Sequence, residues 1–254
     1  MDSTLKNKII YFDEVNSTQG LAKQYITEGK AQHGMVFIAQ TQVQGIGRLN
    51  RSWSSPKGGL WMTTIYQKNS SLSLFQGFSV KLGLAIVNSL EKILQLNFQI
   101  KWPNDILLDG KKVGGILIDI ISQDDFVKDL IVGIGLNVNF PVQDLPSNLI
   151  ENSTTILDHL NEEISLEKIR DGILKSQNSL YEMITNNMDF ENFSIWNEQS
   201  FTFNKRVVAH ISDLEIIGKE VGITNDGDLI LQLDDETKKI ISTGEITLLR
   251  EKKE

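Results

Sequence analysis

The stretch KWPNDILLDGKKVGGILID, residues 101–119, combines apolar runs typical of strands with residues that are rare inside strands. It places a Trp-Pro-Asn-Asp turn before a Lys-Val-Gly-Gly segment, and apolar runs surround both. The pair Asp109–Gly110 predicts a hairpin between two strands. Proline removes a donor from a strand ladder, and Gly114 and Gly115 leave the backbone bare, so both features are unusual in a core strand. Close approach of a ligand is one of the few physical reasons for such glycines.

The composition predicts a globular protein with a sizeable core. The chain has 254 residues, of which 40% are hydrophobic and 23% charged, and this suits one large domain or a large and a small one. A net charge of −8 argues against a general nucleic-acid binder but leaves room for a local basic nucleotide site. The absence of cysteine excludes disulfides and thiolate metal sites. Because neither a secretory signal nor a membrane-length apolar stretch is visible, we expect a cytoplasmic protein without a membrane partner.

The hydrophobic pattern predicts an α/β protein of the α+β type in two parts. Strands and helices share the first part, which becomes helical from about residue 153 to 200, and short strands with turns follow. We therefore expect a larger first domain at 1–200 and a small β-barrel domain at 201–254. The individual elements are expected as strands at 8–15, 35–42 and 60–67, helices at 16–29 and 73–95, and crowded strands from 98 to 139.

The sequence TQVQGIGRLNRSW, residues 41–53, forms a glycine-bearing loop with Arg48 and Arg51. Backbone N–H groups of such a loop can approach an anion, and arginines donate in pairs to phosphate. The loop matches neither strict nucleotide-binding template, because it has no P-loop lysine and its GxGxxG spacing breaks at Asn50. A surface turn with incidental arginines explains the loop equally well if it stands alone.

No catalytic nucleophile is evident in the sequence. His33, His159 and His210 are scattered and lack the spacing of metal ligands. This pattern indicates a reaction between two bound substrates, in which the protein positions them and neutralises charge. Together with the glycines of GIGLN at 133–137, the motifs fit an elongated, partly apolar ligand with an anionic end.

Six segments resemble, in order, the motifs of biotin protein ligases: NST (16–18), TQVQGIGRLNRSW, GGLWMT, KWPNDILL, KKVGGILI and GIGLNVN. They span residues 9–140, and GEITLL resembles the end of the family's C-terminal barrel. The resemblance implies a mixed β-sheet flanked by helices, followed by an SH3-like barrel. It also implies that biotin and ATP form biotinyl-5′-AMP and pyrophosphate. Biotin then passes to a lysine of a biotin carboxyl carrier protein or domain of an acyl-CoA or pyruvate carboxylase.

The resemblance further implies a role for each matching residue. Lys112 and Arg48 would be catalytic, because they neutralise charge where the biotin carboxylate meets the α-phosphate. The residues expected to bind biotin are Ser17, Thr18, Gln42, Gly45, Gly47, Arg48, Lys112 and Gly115. Those expected to bind ATP are Arg48, Arg51, Trp53, Asn104, Asp105, Lys112 and Asn137. No residue is expected to form a metal centre, and Mg²⁺ is expected on the ATP phosphates.

Two residues depart from the family pattern. Ile46 stands where the family loop often has a basic residue, and Gln19 follows Ser-Thr where Asn is common. The chain begins at the first catalytic strand, so a DNA-binding role and a nucleic-acid partner are not expected, and a homodimer stays open.

Two alternative functions stay open for this sequence. A lipoate or octanoate ligase or transferase shares the superfamily, but KWPND and KVGGIL favour biotin. A non-catalytic biotin-binding regulator would need neither Lys112 nor Arg48, because the biotin ring is neutral.

Overall fold

Two β-sheets form the framework of the protein. The computed structural model describes residues 5–188 and 195–249. The strands of the first sheet are β1 (Lys8–Val15), β2 (Met35–Gln42), β3 (Leu60–Ser71), β4 (Phe98–Lys101), β5 (Asp105–Leu108), β6 (Lys111–Gln123) and β7 (Phe126–Leu136). Those of the second are β8 (Arg206–Ile211), β9 (Leu214–Ile223), β10 (Leu229–Gln232), β11 (Lys238–Ile241) and β12 (Glu245–Leu248). The helices are α1 (Thr18–Thr27), α2 (Phe78–Leu94), α3 (Ser147–Ile150), α4 (Ile156–Leu160), α5 (Leu166–Thr185) and α6 (Trp196–Gln199).

The first sheet is mixed, which confirms the expected fold class. Its strand order is β1-β2-β3-β7-β6-β5-β4. Strands β1 and β2 are parallel, and each other neighbouring pair is antiparallel. Helix α1 follows β1 in the chain and provides the crossover that a parallel pair requires. Asp109 and Gly110 connect β5 to β6 with φ values of 50° and 74°, as expected for the predicted hairpin turn.

Helices cover both faces of the first sheet. Helices α2 and α5 pack against each other on one face, where Leu82, Leu90 and Ile173 belong to the main core. Helix α1 covers the other face, where Ala22 packs in a smaller cluster with Phe37. No helix within the described residues is long and apolar enough to cross a membrane.

The long helix α2 begins later than the periodicity predicts. Apolar spacing predicts one helix over 73–95, but α2 starts at Phe78, and Leu72–Phe75 form a separate 3-10 helix. Gly77 lies between them with a φ of 65°, which interrupts the helical path. A Cβ at Gly77 would collide with the carbonyl of Asp226. The start of α2 therefore depends on a contact with the second sheet, which periodicity does not reveal.

The second sheet is antiparallel, with strand order β11-β10-β9-β8-β12. It is the small all-β unit predicted for the end of the chain, although the sequence pattern did not reveal β11. Helices α4, α5 and α6 account for the helical pattern predicted from 153 to 200. Residues 189–194 of that region lie outside the described residues.

Buried hydrogen bonds hold the second sheet against the first part of the chain. Trp102 Nε1 donates to the carbonyl of Gly227 at 3.0 Å. The Glu220 Oε1 atom accepts from Trp196 Nε1 at 2.9 Å and from the Ser200 hydroxyl at 2.7 Å. Burial raises the pKa of the Glu220 carboxyl above its ordinary value. These contacts fix the position of the second sheet, because buried polar groups are costly to leave without partners.

Candidate active site

A cavity of about 440 Å³ lies where the two sheets meet. It collects residues from β5, β6, β7 and β12, the start of α1 and the loop after β2. Every residue predicted for the site lines it except Gly45. These residues are Ser17, Thr18, Gln42, Gly47, Arg48, Arg51, Trp53, Asn104, Asp105, Lys112, Gly115 and Asn137.

Gly45 does not line the cavity; it lies between the two arms of the loop and packs against Trp53 and Ser55. A Cβ at this position would collide with the carbonyl of Trp53 and would lie 2.8 Å from the Ser55 hydroxyl. Trp53 N also donates to the carbonyl of Gly45 at 2.8 Å. Gly45 therefore allows the two arms of the loop to lie close together.

Glycines on two strands explain where the cavity lies on the first sheet. Alternate residues of a strand face the same side, so Gly133 and Gly135 of β7 share a face. The strand register pairs Gly133 with Thr63, Gly135 with Gly115, and Gly115 with Asp105. Three of these five residues lack a side chain, and the cavity occupies the hollow that they leave.

The indole ring of Trp53 covers part of this hollow. A Cβ at Gly135 would lie 2.7 Å from Trp53 Nε1, and one at Gly115 would lie 3.4 Å from the ring. A Cβ at Gly114 would lie 2.8 Å from the carbonyl of Gly135, so this glycine serves strand packing. The sequence predicts a ligand against the bare backbone, and the structure shows that the ring of Trp53 also lies against it. Trp53 Nε1 is buried without a hydrogen-bond partner among the described residues, so it keeps a donor.

A network of hydroxyl and amide groups forms the cavity floor. Gln42 Oε1 accepts from the backbone N–H of Thr18 at 2.8 Å and from the Thr18 hydroxyl at 3.1 Å. Gln42 Nε2 donates to the Ser55 hydroxyl at 2.7 Å. The Thr63 hydroxyl lies 2.9 Å from Thr18 Oγ1 and 3.2 Å from Gln19 Oε1. This fixed polar floor suits a ligand group that has its own donors and acceptors.

Lys112 brings a cation into the same cavity. Its Nζ lies 2.6 Å from Asp105 Oδ1 and 5.1 Å from the centre of the Trp53 ring. The carboxylate and the ring face both hold the ammonium in place. Because Lys112 and Asp105 are both partly exposed, the ammonium is accessible to a ligand.

Two arginines of the glycine-bearing loop reach the second sheet. Arg48 donates to Asn104 Oδ1 at 3.3 Å and to the carbonyl of Gly244 at 3.2 Å. Arg51 forms an ion pair with Glu245 at 2.8 Å. The second sheet therefore positions both arginines beside the cavity.

Three further predicted residues line the cavity and also have partners within the protein. Ser17 caps α1, because its Oγ accepts from the N–H of Gly20 at 3.3 Å. Asn137 Nδ2 donates to the carbonyl of Thr154 at 3.0 Å. Gly47 pairs across the loop hairpin through its backbone N–H. These bonds fix the cavity wall around the residues.

The cavity carries an excess of positive charge. Its charged side chains are Arg48, Arg51, Lys101, Lys112, Asp105 and Glu245. Four cations against two carboxylates give a local basic site in a chain whose net charge is −8, and such a site attracts anions. Within the described residues, no cluster of three or more His, Cys, Asp or Glu residues is arranged to hold a metal ion.

Sequence reasoning missed several residues of the cavity. Thr63 lies within an apolar strand, and nothing nearby marks it as a floor residue. Leu145 and Leu149 add an apolar wall, and Glu245 enters from the second sheet. Only the three-dimensional docking of the two sheets brings Glu245 to the site. The GEITLL motif was the one available signal for it.

A second cavity of about 610 Å³ lies elsewhere and contains none of the predicted residues. Four carboxylates line it, from Asp13, Asp144, Glu163 and Glu167, against the cations of Lys57 and Arg170. This excess of negative charge does not suit an anionic substrate. The smaller, basic cavity is therefore the candidate active site.

Comparison with known proteins shows the family to which the chain belongs. The family model "Biotin/lipoate A/B protein ligase family" matches residues 11–137, and "Biotin protein ligase C terminal domain" matches residues 202–249. The bifunctional ligase/repressor BirA of Bacillus subtilis is 30% identical over 239 residues, which are 92% of this chain and 72% of that protein. The chain belongs to the biotin protein ligase family.

Other members of the biotin protein ligase family share the fold. The structure of the Aquifex aeolicus biotin protein ligase in complex with biotin and ATP superimposes with a TM-score of 0.82 at 28% identity. This match covers 97% of this chain and 100% of that one. The biotin–[acetyl-CoA-carboxylase] ligase of Mycobacterium tuberculosis is 24% identical over 85% of this chain and 80% of its own length. These matches confirm the resemblance that the motifs predict.

Proposed function

We propose that this biotin protein ligase forms biotinyl-5′-AMP from biotin and ATP and transfers biotin to one lysine of a biotin carboxyl carrier protein or domain. The carrier would belong to an acyl-CoA or pyruvate carboxylase. One observation carries the proposal: a single cavity combines a hydroxyl-amide floor with an excess of cations. The floor suits the ureido ring of biotin, and the cations suit its carboxylate and the phosphates of ATP.

The cavity floor favours biotin over lipoate or octanoate. The ureido ring has N–H donors and a carbonyl acceptor, which match the hydroxyl of Thr18 and the amide of Gln42. The Gln42 amide and the Thr18 hydroxyl already have partners within the protein, but a dithiolane ring or an alkyl chain would leave the second N–H of Gln42 Nε2 and the remaining lone pair of Thr18 Oγ1 unpaired in a desolvated site. Sites with unpaired buried polar groups discriminate strongly against such ligands. The floor therefore argues against the lipoate alternative.

Lys112 and Arg48 would support formation of the adenylate. A carboxylate oxygen of biotin attacks the α-phosphorus of ATP, a new O–P bond forms, and the bond to the pyrophosphate oxygen breaks. Negative charge grows on the phosphate oxygens during this transfer, and preorganised cations stabilise it. The contact of Lys112 with Asp105, and that of Arg48 with Asn104, place both cations beside the cavity before substrate binds.

The second step needs little further chemistry from the protein. The neutral amine of the carrier lysine attacks the acyl carbon of biotinyl-5′-AMP, an amide bond forms, and AMP leaves. The proton that the amine loses passes to water. Alignment and charge neutralisation are sufficient, which agrees with the lack of an evident nucleophile in the chain.

The remaining residues would hold ATP and its metal ion. Arg51, Asn104 and Asn137 would bind the nucleotide, and Trp53 would lie near the base. Mg²⁺ is commonly held by substrate phosphates and one or two carboxylates. Asp105 fits this role, because Lys112 occupies only its Oδ1 atom. When bound, Mg²⁺ supplies neutralisation of the phosphate charge.

The proposed division into domains at 1–200 and 201–254 has support from the second sheet. That sheet starts at Arg206 and has its own antiparallel pairing. It also provides Gly244 and Glu245 to the loop arginines. We therefore regard the C-terminal domain as a wall of the active site.

Mass spectrometry of a mixture of protein, ATP and biotin tests the proposal. We expect the mass of biotinyl-5′-AMP, together with biotin-dependent release of pyrophosphate. Release with lipoate but not with biotin would contradict the assignment. Biotin binding without any adenylate would instead favour the non-catalytic regulator.

A further inference from the structure

The side chain of Gln19 lies in the cavity floor and is held from behind. Gln19 is 4% exposed and lines the cavity. Its Nε2 donates to Asp119 Oδ2 at 2.8 Å and faces the carbonyl of Ile131 at 3.4 Å. A Cβ at Gly133 would lie 2.5 Å from Gln19 Oε1, so the glycine provides the space that this amide occupies.

Asp119 determines which way the Gln19 amide points. An ionised carboxylate can only accept hydrogen bonds, so the amide nitrogen has to face it. The amide oxygen then faces the hydroxyl of Thr63, 3.2 Å away. The carbonyl of Ile131 favours the same orientation, but its contact is long at 3.4 Å, so the 2.8 Å bond to Asp119 is the stronger restraint against exchange of the amide nitrogen and oxygen.

The orientation of Gln19 sets the hydrogen-bond polarity of the floor. The Thr18 hydroxyl donates its hydrogen to Gln42 Oε1 and its oxygen faces the Thr63 hydroxyl at 2.9 Å, so one lone pair of this oxygen is left as an acceptor. Gln19 Oε1 is a second acceptor. A floor that presents two acceptors suits a ligand ring with N–H donors, and it disfavours a ring that offers only acceptors at this place.

Asp119 is suited to this role by its place on the sheet. It follows Gly115 and Leu117 along one face of β6, one step beyond the cavity. Lys23, one helical turn after Gln19 on α1, pairs with the same carboxylate at 2.8 Å. Asp119 thus contacts α1 at two points, of which only Gln19 faces the cavity.

We propose that Asp119 is a positioning residue, which acts through Gln19 to make the cavity floor specific for a ligand ring with N–H donors. This inference rests on the proposed function, because it assigns a specificity determinant to the biotin end of the same site. Asp119 itself does not line the cavity.

The test measures the binding of biotin alone by calorimetry and the KM values for biotin and ATP in adenylate formation. Asp119→Asn keeps the size of the side chain but leaves only the long contact with the Ile131 carbonyl to favour one amide orientation. We expect biotin binding to weaken about tenfold, which is the scale for one mismatched buried hydrogen bond. The KM for biotin should rise equally, while the KM for ATP and kcat stay the same. A merely structural defect would alter all of these values.

A double variant that exchanges the carboxylate and the amide between positions 19 and 119 tests the positioning role more directly. In Gln19→Glu/Asp119→Asn the new asparagine donates to the new glutamate, and the second glutamate oxygen again faces Thr63. The total charge is the same as in the wild type. Biotin binding should recover in part, because the first glutamate oxygen now faces the carbonyl of Ile131, to which the amide nitrogen donated. Lys23→Ala is the matched control, because it removes the ion pair of Asp119 but leaves its bond to Gln19. It should bind biotin as the wild type does.

The outcomes separate this inference from the proposed function. If wild-type protein binds no biotin, the proposed function fails. Should the wild type bind biotin and Asp119→Asn bind it equally well, the positioning role is wrong and the function stands. The role is also wrong if the double variant binds no better than Asp119→Asn. Where Asp119→Asn does not fold, comparison of the double variant with the wild type decides between these results.

Discussion

Arg51 and Glu245 form an ion pair at the cavity wall, although 194 residues separate them in the chain. Both carboxylate oxygens lie 2.8 Å from Arg51 Nη1. This pair connects the glycine-bearing loop to the first residue of β12. The loop therefore has a second attachment in addition to its own hairpin.

Loss of the carboxylate at Glu245 should free the loop with little effect on global stability. The Arg51 side chain is 63% exposed and that of Glu245 33%, and exposed pairs contribute about 0–1 kcal/mol. We expect Glu245→Ala to lower the free energy of unfolding by no more than about 1 kcal/mol and to accelerate hydrogen exchange at residues 43–53. The exposed residue Asp213 gives the control Asp213→Ala. Unchanged exchange in the loop would show that the pair does not restrain it.

Removal of either catalytic cation should slow adenylate formation strongly. Lys112→Ala and Arg48→Ala should each lower the single-turnover rate about 10²–10³-fold, because loss of one preorganised donor commonly has this effect. Lys111→Ala is the matched control, since Lys111 is exposed and does not line the cavity. Circular dichroism should show that all three variants fold. A near-normal rate in Lys112→Ala would remove that residue from the mechanism.

Introduction of a cation at Ile46 should slow the escape of biotinyl-5′-AMP. Ile46 lines the cavity and is 42% exposed, so an arginine here can reach a bound anion. One added charge-assisted hydrogen bond is worth about 1.5–3 kcal/mol at best and less at an exposed loop. We therefore expect Ile46→Arg to lower the off-rate about tenfold or less.

Stopped-flow displacement of the adenylate measures this off-rate. Val43→Arg is the matched control, because Val43 is 62% exposed on the same loop but does not line the cavity. An off-rate that is unchanged or faster in Ile46→Arg would mean that the missing charge is immaterial. The same result would also be expected if another residue already supplies that charged contact.

The stability of the protein should depend on pH through Glu220. Burial raises the pKa of this carboxyl above its ordinary value of 4.5, so the folded state binds the proton more tightly than the unfolded state does. The resulting stabilisation is complete below pH 4.5 and is lost as the pH rises through the folded-state pKa. Glu220→Gln should remove this dependence, because a glutamine does not titrate.

Urea denaturation at a series of pH values checks this prediction. The difference in unfolding free energy between wild type and Glu220→Gln should shift against the wild type as the pH rises above 4.5. The exposed Glu215 gives the control Glu215→Gln. Parallel curves for wild type and Glu220→Gln would contradict the predicted role of the buried carboxyl.

The sequence predicts the local parts of the site well. Arg48 and Lys112 are marked by adjacent glycines, and the turn at Asp109 follows from its dipeptide. Such signals depend on residues that are neighbours in the chain, so one sequence is sufficient to detect them.

The sequence does not predict the parts that depend on long-range packing. Thr63 and Gln19 meet only because α1 docks on the sheet, and neutral polar side chains give no charge pattern to detect. Gly135 was singled out for close approach of a ligand, but the sequence did not reveal that the ring of Trp53 also lies beside it. The start of α2 at Phe78 depends on a contact with the second sheet that periodicity does not encode.

Strand β12 completes the cavity wall only near the end of protein synthesis. Ser153 is the last cavity residue before Glu245 in the chain, and the intervening stretch takes roughly 5–20 s to translate at about 5–20 residues per second. During that interval a nascent chain already carries the first sheet, but Arg48 and Arg51 lack their partners at Gly244 and Glu245. A transcript broken before the codon of Gly244 would therefore give a polypeptide with all four cavity cations but without the wall that Glu245, Ile246 and Thr247 provide.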